Sequence, residues 1–343
     1  METERSVIAI KRATDTGLPS EIQECLKESG CLARIGSSDS IVIKPNLITD
    51  NPAYIQSGAN TSMAVLRSLL RIIRDARPNA RIVIGESDVG TKVKGRILSE
   101  AYRIMGFHAL SEEFDVAVVN FSEEEKMKIP LETGLFFKEI TIPVVAHEAD
   151  LIIDIPKIKT HKYAKLTCSL KNMFGVIPNP KRVIYHNHLD EAIVDINQAF
   201  GRKTIALVDG IVSMEGNGPV YGTPVRTDII LSSTDLVALD HVVAKMIGLD
   251  PDDIPYIRLA ESVGLGQTKN IQAIGDQDLR WTFKKSGTLL YTKFEGWLMR
   301  TPLVHVLITP GFQKYVSRWI SPVTKFLRGG SFTWYSGGKK GKK

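Results

Sequence analysis

The amino-acid sequence predicts an α/β fold, a mostly parallel or mixed sheet flanked by helices, with a basic, aromatic-rich extension at the C-terminal end. Three observations lead to it. Short apolar runs of the buried-strand type alternate with stretches of helical periodicity from SVIAI at 6–10 to DVAVVN at 115–120, the rhythm of strand-helix-strand units and parallel pairing. Polar residues collect at the C-terminal ends of those runs, where open α/β sheets hold their ligands. After residue 279 the rhythm gives way to cations and aromatics.

Taken in order, SVIAI is a buried strand, and residues 19–32 follow as a helix with Ile22, Cys25 and Leu26 on one face. IVIKPN is a second strand that ends in Lys44 and Asn46, with Pro45 fixing the turn or merely ending the strand. Residues 62–76 are spaced as an amphipathic helix, RIVIGES is a third strand ending in Glu86, Ser87 and Asp88, residues 96–105 are helical, and DVAVVN is a fourth strand. Residues 121–143 show no evident chemistry, although KEITIP reads as a strand. LIIDIP is a later buried strand closing on Asp154, residues 190–200 form a helix, and TIALVDG is a strand ending in Asp209. The loop GIVSMEGNGPVYG comes next, with Glu215 and Asn217 among glycines that let backbone N–H groups approach a ligand. TDIILSS is a strand, residues 235–247 a helix capped by Thr234 or Asp235, residues 251–263 another helix, and NIQAIGD closes the sheet.

The stretch DIPKIKTHKYAKLTCSLKNMFGVIP at 154–178 sets Lys157, Lys159, His161, Lys162, Lys165 and Lys171 against one acid, Asp154. An extended backbone over 154–159 throws alternate side chains to one side, so Lys157, Lys159 and His161 share a face. Cations so placed repel one another, and an anionic ligand such as phosphate or carboxylate is the simplest compensation. The alternative is a set of surface lysines lying over a helix. Lys171 and Asn172 end a short helical run that Gly175 terminates. Cys168 is either a thiol activated by these cations or a small buried residue.

KPNL at 44–47, DIPKIKTH at 154–161, SLKNMFGVIP at 169–178 and VDGIVSMEGNGP at 208–219 together resemble the prokaryotic family named domain of unknown function 362, over about residues 5–275. The resemblance implies a fold and a set of positions and no particular reaction. Many relatives look like fusions to a ferredoxin-type module with four-cysteine iron-sulfur motifs; this sequence has no such motif.

With 343 residues, 43% hydrophobic and 24% charged, the chain has material for one large core or two ordinary ones. Its start lacks an apolar leader segment, and its longest later apolar run, LVHVLITPGF, is too short to span a bilayer, so a cytoplasmic protein is expected. The three cysteines, Cys25, Cys31 and Cys168, have no C-x-x-C spacing and support neither disulfides nor a thiolate metal site. His186 and His188, if extended, share a face that would begin a metal site, but no third ligand is visible, and a solvated or ligand-contacting loop is the alternative. No metal is assigned.

Thirteen of the 44 Lys and Arg residues, but one of the 38 acids, lie after residue 279, with all four tryptophans. The basic character therefore belongs to the extension. Residues 280–335 have the make-up of an interfacial segment for an anionic membrane surface, which would make the protein peripheral at a membrane. Nucleic acid is a weaker partner for such a segment, and a layer over the sheet or a homo-oligomer interface is the alternative. Residues 336–343 are expected to be disordered. The expected domains are thus 1–279, 280–335 and that tail.

Two functions suit these residues. The first is an enzyme acting on a small anionic substrate or cofactor bound by Lys157, Lys159 and Lys171. His161 or Glu215 would handle protons, Lys44 would neutralise developing charge, Asn46 and Asn172 would orient polar groups, and Glu86, Asp209 and Asn217 would complete the ligand-binding set. The second is a non-catalytic binder of an anionic metabolite, or a subunit that meets a redox partner protein. Neither G-x-G-x-x-G nor a P-loop occurs, and no cofactor is named by the sequence.

Overall fold

Apolar runs that alternate with amphipathic helices satisfy their backbone groups and bury their side chains together only as one sheet covered on both faces. The computed structural model describes residues 5–89, 96–286 and 301. Its strands are β1 (Ser6–Arg12), β2 (Ser40–Pro45), β3 (Arg81–Glu86), β4 (Ala117–Asn120), β5 (Lys126–Pro130), β6 (Glu139–Pro143), β7 (Leu151–Ile155), β8 (Lys157–His161), β9 (Lys165–Thr167), β10 (Thr204–Glu215), β11 (Thr223–Ser233) and β12 (Ile271–Gly275). Among the described residues ten of them make one sheet, with the order β12-β1-β11-β10-β7-β2-β3-β4, with β8 attached to β10 and β9 to β8, while β5 and β6 pair separately.

The sheet is mixed and mostly parallel, as the alternation of elements predicts. β10, β7, β2, β3 and β4 run parallel in succession. β11 is antiparallel to both β10 and β1, and β12 is parallel to β1. The C-terminal ends of the five parallel strands therefore lie along one edge.

Each strand feeds two layers because its side chains alternate between faces. Ile41 and Ile43 of β2, Ile82 and Ile84 of β3, and Leu151 and Ile153 of β7 join the helices Leu18–Glu28, Met63–Ala76 and Phe107–Phe114 in one core cluster. Val42, Val83 and Ile152 face the opposite cluster with the helices Leu189–Phe200, Leu236–Met246 and Pro255–Ser262. Ser62 and Asp235 cap two of these helices, accepting from Val65 N and from Val237 N and Ala238 N.

Three expectations change. The helix expected over 19–32 is two helices, Leu18–Glu28 and Cys31–Gly36, because Gly30 takes a left-handed φ of 78° between them. The expected loop after Asp209 is half strand, since β10 continues to Glu215 paired with Thr223 of β11. The helix expected over 251–263 starts as a 3-10 turn, with α-helix from Pro255.

The folded body also runs past the expected boundary at 279. Trp281 N and Phe283 N donate to Met246 O and Ile247 O at 2.7 and 3.0 Å, and Phe283 is buried. Apart from 280–286 and 301, the extension over 280–335 and the tail over 336–343 lie outside the described residues. No described helix is long and apolar enough to cross a membrane.

The Asp235 carboxylate does more than cap, since Oδ2 accepts from Ser6 Oγ at 2.6 Å and from Gln267 N at 3.1 Å. Asp235→Ala is expected to lower unfolding stability by about 1–2 kcal/mol, the usual cost of a lost cap, measured by urea denaturation. A Ser substitution should restore part of it.

Candidate functional site

The site begins with a break in a strand. β7 pairs with the first residues of β10, Pro156 interrupts it, and β8 then pairs with β10 at Asp209 and Met214 across a register shift. Pro156 has no N–H to continue a ladder; its carbonyl instead accepts from Asp209 N at 3.0 Å. The detour carries Lys157 and Lys159 past the ends of β2 and β3, where Lys44 and Glu86 lie.

Lys44, Lys157 and Lys159 are at most 1% exposed. A buried ammonium needs a partner for its charge and acceptors for its protons. Lys44 Nζ has both, lying 2.6 Å from Glu86 Oε2 and 2.8 Å from Pro45 O. Lys157 Nζ lies 2.8 Å from Asp209 Oδ1, while Asp209 Oδ2 accepts from Ser62 N at 2.7 Å. Lys159 differs. Its Nζ donates to Asn46 Oδ1 at 2.5 Å and Ala59 O at 2.6 Å, with no carboxylate partner among the described residues.

A pair of amides joins these groups. Asn46 Nδ2 donates to Asn172 Oδ1 at 2.6 Å, and Asn172 Nδ2 donates to Asp154 Oδ1 at 2.7 Å. Asp154 Oδ2 is buried with no hydrogen-bond partner among the described residues. Burial raises the Asp154 carboxyl well above its ordinary range, against the pull of Lys44 and Asn172.

Lys171 is half-buried, with Nζ 4.5 Å from the centroid of the Phe174 ring. Among the described residues it has neither an ion pair nor a hydrogen-bond acceptor. Desolvation, then the nearby Arg182 and Lys44, lower its pKa to about 7, opposed by Glu86. Desolvation likewise pushes Lys159 well below its ordinary value, with Lys157, Lys171 and Lys44 adding repulsion.

The helix carrying Lys171 and Asn172, Ser169–Met173, is pinned from below. Asp240 accepts from Ser169 N at 2.8 Å and Leu170 N at 3.2 Å, and burial lifts its pKa to about 7 in spite of those bonds. Gly175, expected to terminate the helix, instead lies in the 3-10 turn Phe174–Val176. A Cβ there would fall on the Glu86 carboxylate and the Lys44 ammonium. Glycine at 175 is thus a close-approach residue. Arg182, which sequence reasoning missed, reaches back with Nη1 to Asp88 O at 2.7 Å. Its distance along the chain from β3 left no pattern to find it by.

The structure joins Lys44, Asn46, Glu86, Lys159 and Asn172 directly, sets Lys157 on Asp209 beside them, and leaves other candidates otherwise engaged. The Glu215 carboxylate accepts from Lys284 N at 2.8 Å and pairs with Lys284 Nζ at 3.4 Å, a contact from a segment expected to be separate. Asn217 is exposed. His161 Nδ1 accepts from Tyr163 N at 3.1 Å and Ala164 N at 3.2 Å, which leaves any ring proton on Nε2. Burial, then Lys171 and His186, push its pKa well below the ordinary imidazole value.

His186 and His188 are not extended but belong to the 3-10 helix Arg182–His188. His188 stacks on Phe136 at 4.7 Å between centroids, and His186 lies near Tyr163 at 5.1 Å. Among the described residues no group of three metal-binding side chains occurs. The Cys168 thiol is fully buried and pushed well above its ordinary pKa by desolvation and then Asp240, which fits the inert reading of that residue.

The profile of a family described as Domain of unknown function (DUF362) matches residues 41–245. The chain belongs to this family. The match contains Lys44, Glu86, the 154–178 stretch, Asp209 and Asp240, so the whole cluster is part of what the family profile covers. A curated member-like relative, a thylakoid-associated protein of Synechocystis sp., is 27% identical over 237 residues, covering 67% of this chain and 70% of the relative. Among solved structures, the lactate racemase apoprotein from Thermoanaerobacterium thermosaccharolyticum is similar with a TM-score of 0.41 and 16% identity, over 71% of this chain. The chain spans 57% of that structure's chain, and a likeness at this level says nothing about chemistry.

The lowered pKa of Lys171 has a consequence for stability. A folded-state value of about 7 against 10.5 for the ordinary group means that the unfolded chain binds more protons between those limits, so stability rises with pH across that window. Below about pH 7 the cost of holding the cation is fully present. Lys171→Met is expected to stabilise the ligand-free protein at about pH 6, with the difference shrinking towards about pH 10. Urea titrations of both proteins across that range measure it.

Proposed function

We propose that this chain is an enzyme acting on a small anionic metabolite, carboxylate- or phosphate-bearing, held at the ends of β2, β3, β7 and β8. One observation carries the reading: Lys44 and Lys157 have carboxylate partners, whereas Lys159 and Lys171 have none among the described residues and repel each other. An anion between them would supply the missing countercharge and hold both as ammonium ions. Asn46 and Asn172 would orient it, with Lys44 neutralising charge that develops during reaction.

A non-catalytic binder is the second reading, and a specific observation favours it. The two groups suited to proton transfer, Glu215 and His161, are engaged by Lys284 and by backbone N–H groups. His161→Asn and Glu215→Gln separate the readings: turnover of an identified substrate should vanish in an enzyme, while affinity stays within about twofold in either case.

Titration calorimetry with phosphate and with oxalate tests the anion site. Lys159→Met and Lys171→Met should each weaken binding about tenfold or more, the scale of a lost charge-assisted hydrogen bond. Since Lys171 is cationic below about pH 7, affinity should fall as pH rises through that value, and proton uptake should accompany binding. Binding that is unchanged in both variants would remove the reading.

A membrane contact through the basic extension belongs to the same proposal, supported by the charge count and by the word "thylakoid-associated" in the relative's description. Because Phe283 and Lys284 belong to the body, the comparison chain ends at residue 286. Full-length protein should sediment with anionic vesicles, less at high salt, and residues 1–286 should not. Equal sedimentation would sink the contact.

A further inference from the structure

We propose that Lys171 is a reacting amine, whose Nζ forms an iminium linkage with the carbonyl carbon of a small substrate while Lys159 holds that substrate's carboxylate or phosphate. The inference rests on the anion site proposed above and names its substrate class, an anionic carbonyl compound.

The geometry separates Lys171 from its neighbours. Lys44, Lys157 and Lys159 give their protons to acceptors within 2.8 Å. Lys171 gives none among the described residues, and its Nζ lies against the face of Phe174. An amine meant to attack a carbon needs a free lone pair. Desolvation, then Arg182 and Lys44, hold the Lys171 pKa at about 7, so a large fraction is free base near neutrality before an anion arrives, the condition that makes a lysine nucleophilic, and the iminium that forms restores the positive charge beside the anion.

The helix is also held in place for such a role. Asp240 fixes its first N–H groups, Asn172 is tied to Asp154 and Asn46, and the following turn packs on the Lys44–Glu86 pair through Gly175. Nζ therefore swings from a fixed base, with Lys159 close enough for the two charges to oppose each other.

The step balances without an oxidant or reductant. The amine lone pair forms the C–N bond as the carbonyl π pair moves to oxygen, which takes a proton. The carbinolamine oxygen takes a second proton and departs as water while nitrogen forms the C=N bond. Starting from the ammonium, two of its three protons leave in that water and one remains on the iminium nitrogen.

Reductive trapping tests the proposal on the full-length protein. It is incubated with pyruvate, or in a second arm with glycolaldehyde phosphate, in the presence of cyanoborohydride, and its peptides are mapped by mass spectrometry. Modification should concentrate on Lys171, at least about tenfold above any other lysine, and excess oxalate or phosphate should suppress it. The arm that modifies faster identifies the anionic group. Lys171→Arg should keep the charge and anion binding but lose the adduct. If phosphate and oxalate bind and Lys171 stays unmodified in both arms, or exposed lysines react equally, the iminium role is overturned while the anion site stands. If neither anion binds the unmodified protein, both fall.

Discussion

The structure turns on the cost of burying positive charge. Three lysines with no more than 1% exposure and a fourth half-buried one meet at the C-terminal edge of the parallel strands. An unpaired ammonium in such a place costs several kcal/mol or gives up its proton. Two of the four are neutralised within the protein, by Glu86 and Asp209. The other two are not; desolvation lowers both, as it lowers Lys157 in spite of Asp209, and repulsion among the neighbouring cations adds to it. A fold retains such an imbalance at a functional position far more readily than at a structural one.

Much of the surrounding structure keeps this arrangement rigid. Asp209 is both countercharge to Lys157 and acceptor for Ser62 N at the start of the helix Met63–Ala76, which ties the site to the opposite layer. Asp240 holds the helix that carries Lys171, and Gly175 lets the chain pass directly against Glu86. Asp154, whose carboxyl burial pushes upward, closes the amide chain through Asn172 Nδ2. Preorganisation of this kind is what an anion site requires, since polar groups that need not move cost little on binding.

The contact between Lys284 and Glu215 joins the start of the basic extension to the end of β10. It binds a net acidic body to a segment of opposite charge at the edge of the same sheet end that carries the lysines. A carboxylate that looked free to handle protons is thereby held in an ion pair.

The sequence by itself determined the alternation of strands and helices and the strand ends at which polar residues collect. Strands buried on both faces must read as apolar runs, and LIIDI, SIVIKP, RIVIGE and TIALVD do so, with Lys44, Glu86, Asp154 and Asp209 at their ends, the edge of a parallel sheet where ligands are expected. The Asp235 cap was legible as well, since capping is local chemistry. What only the tertiary structure decided are the pairings between distant segments: Lys44 with Glu86 rather than Asp154, Lys157 with Asp209, Glu215 with Lys284, and Arg182 with the Asp88 carbonyl. A charge's partner, and whether it has one, depends on how strands are ordered in the sheet and where loops return. Neither spacing nor periodicity encodes that, and so of the four lysines that meet here Lys44 and Lys157 have a carboxylate partner while Lys159 and Lys171 have none among the described residues.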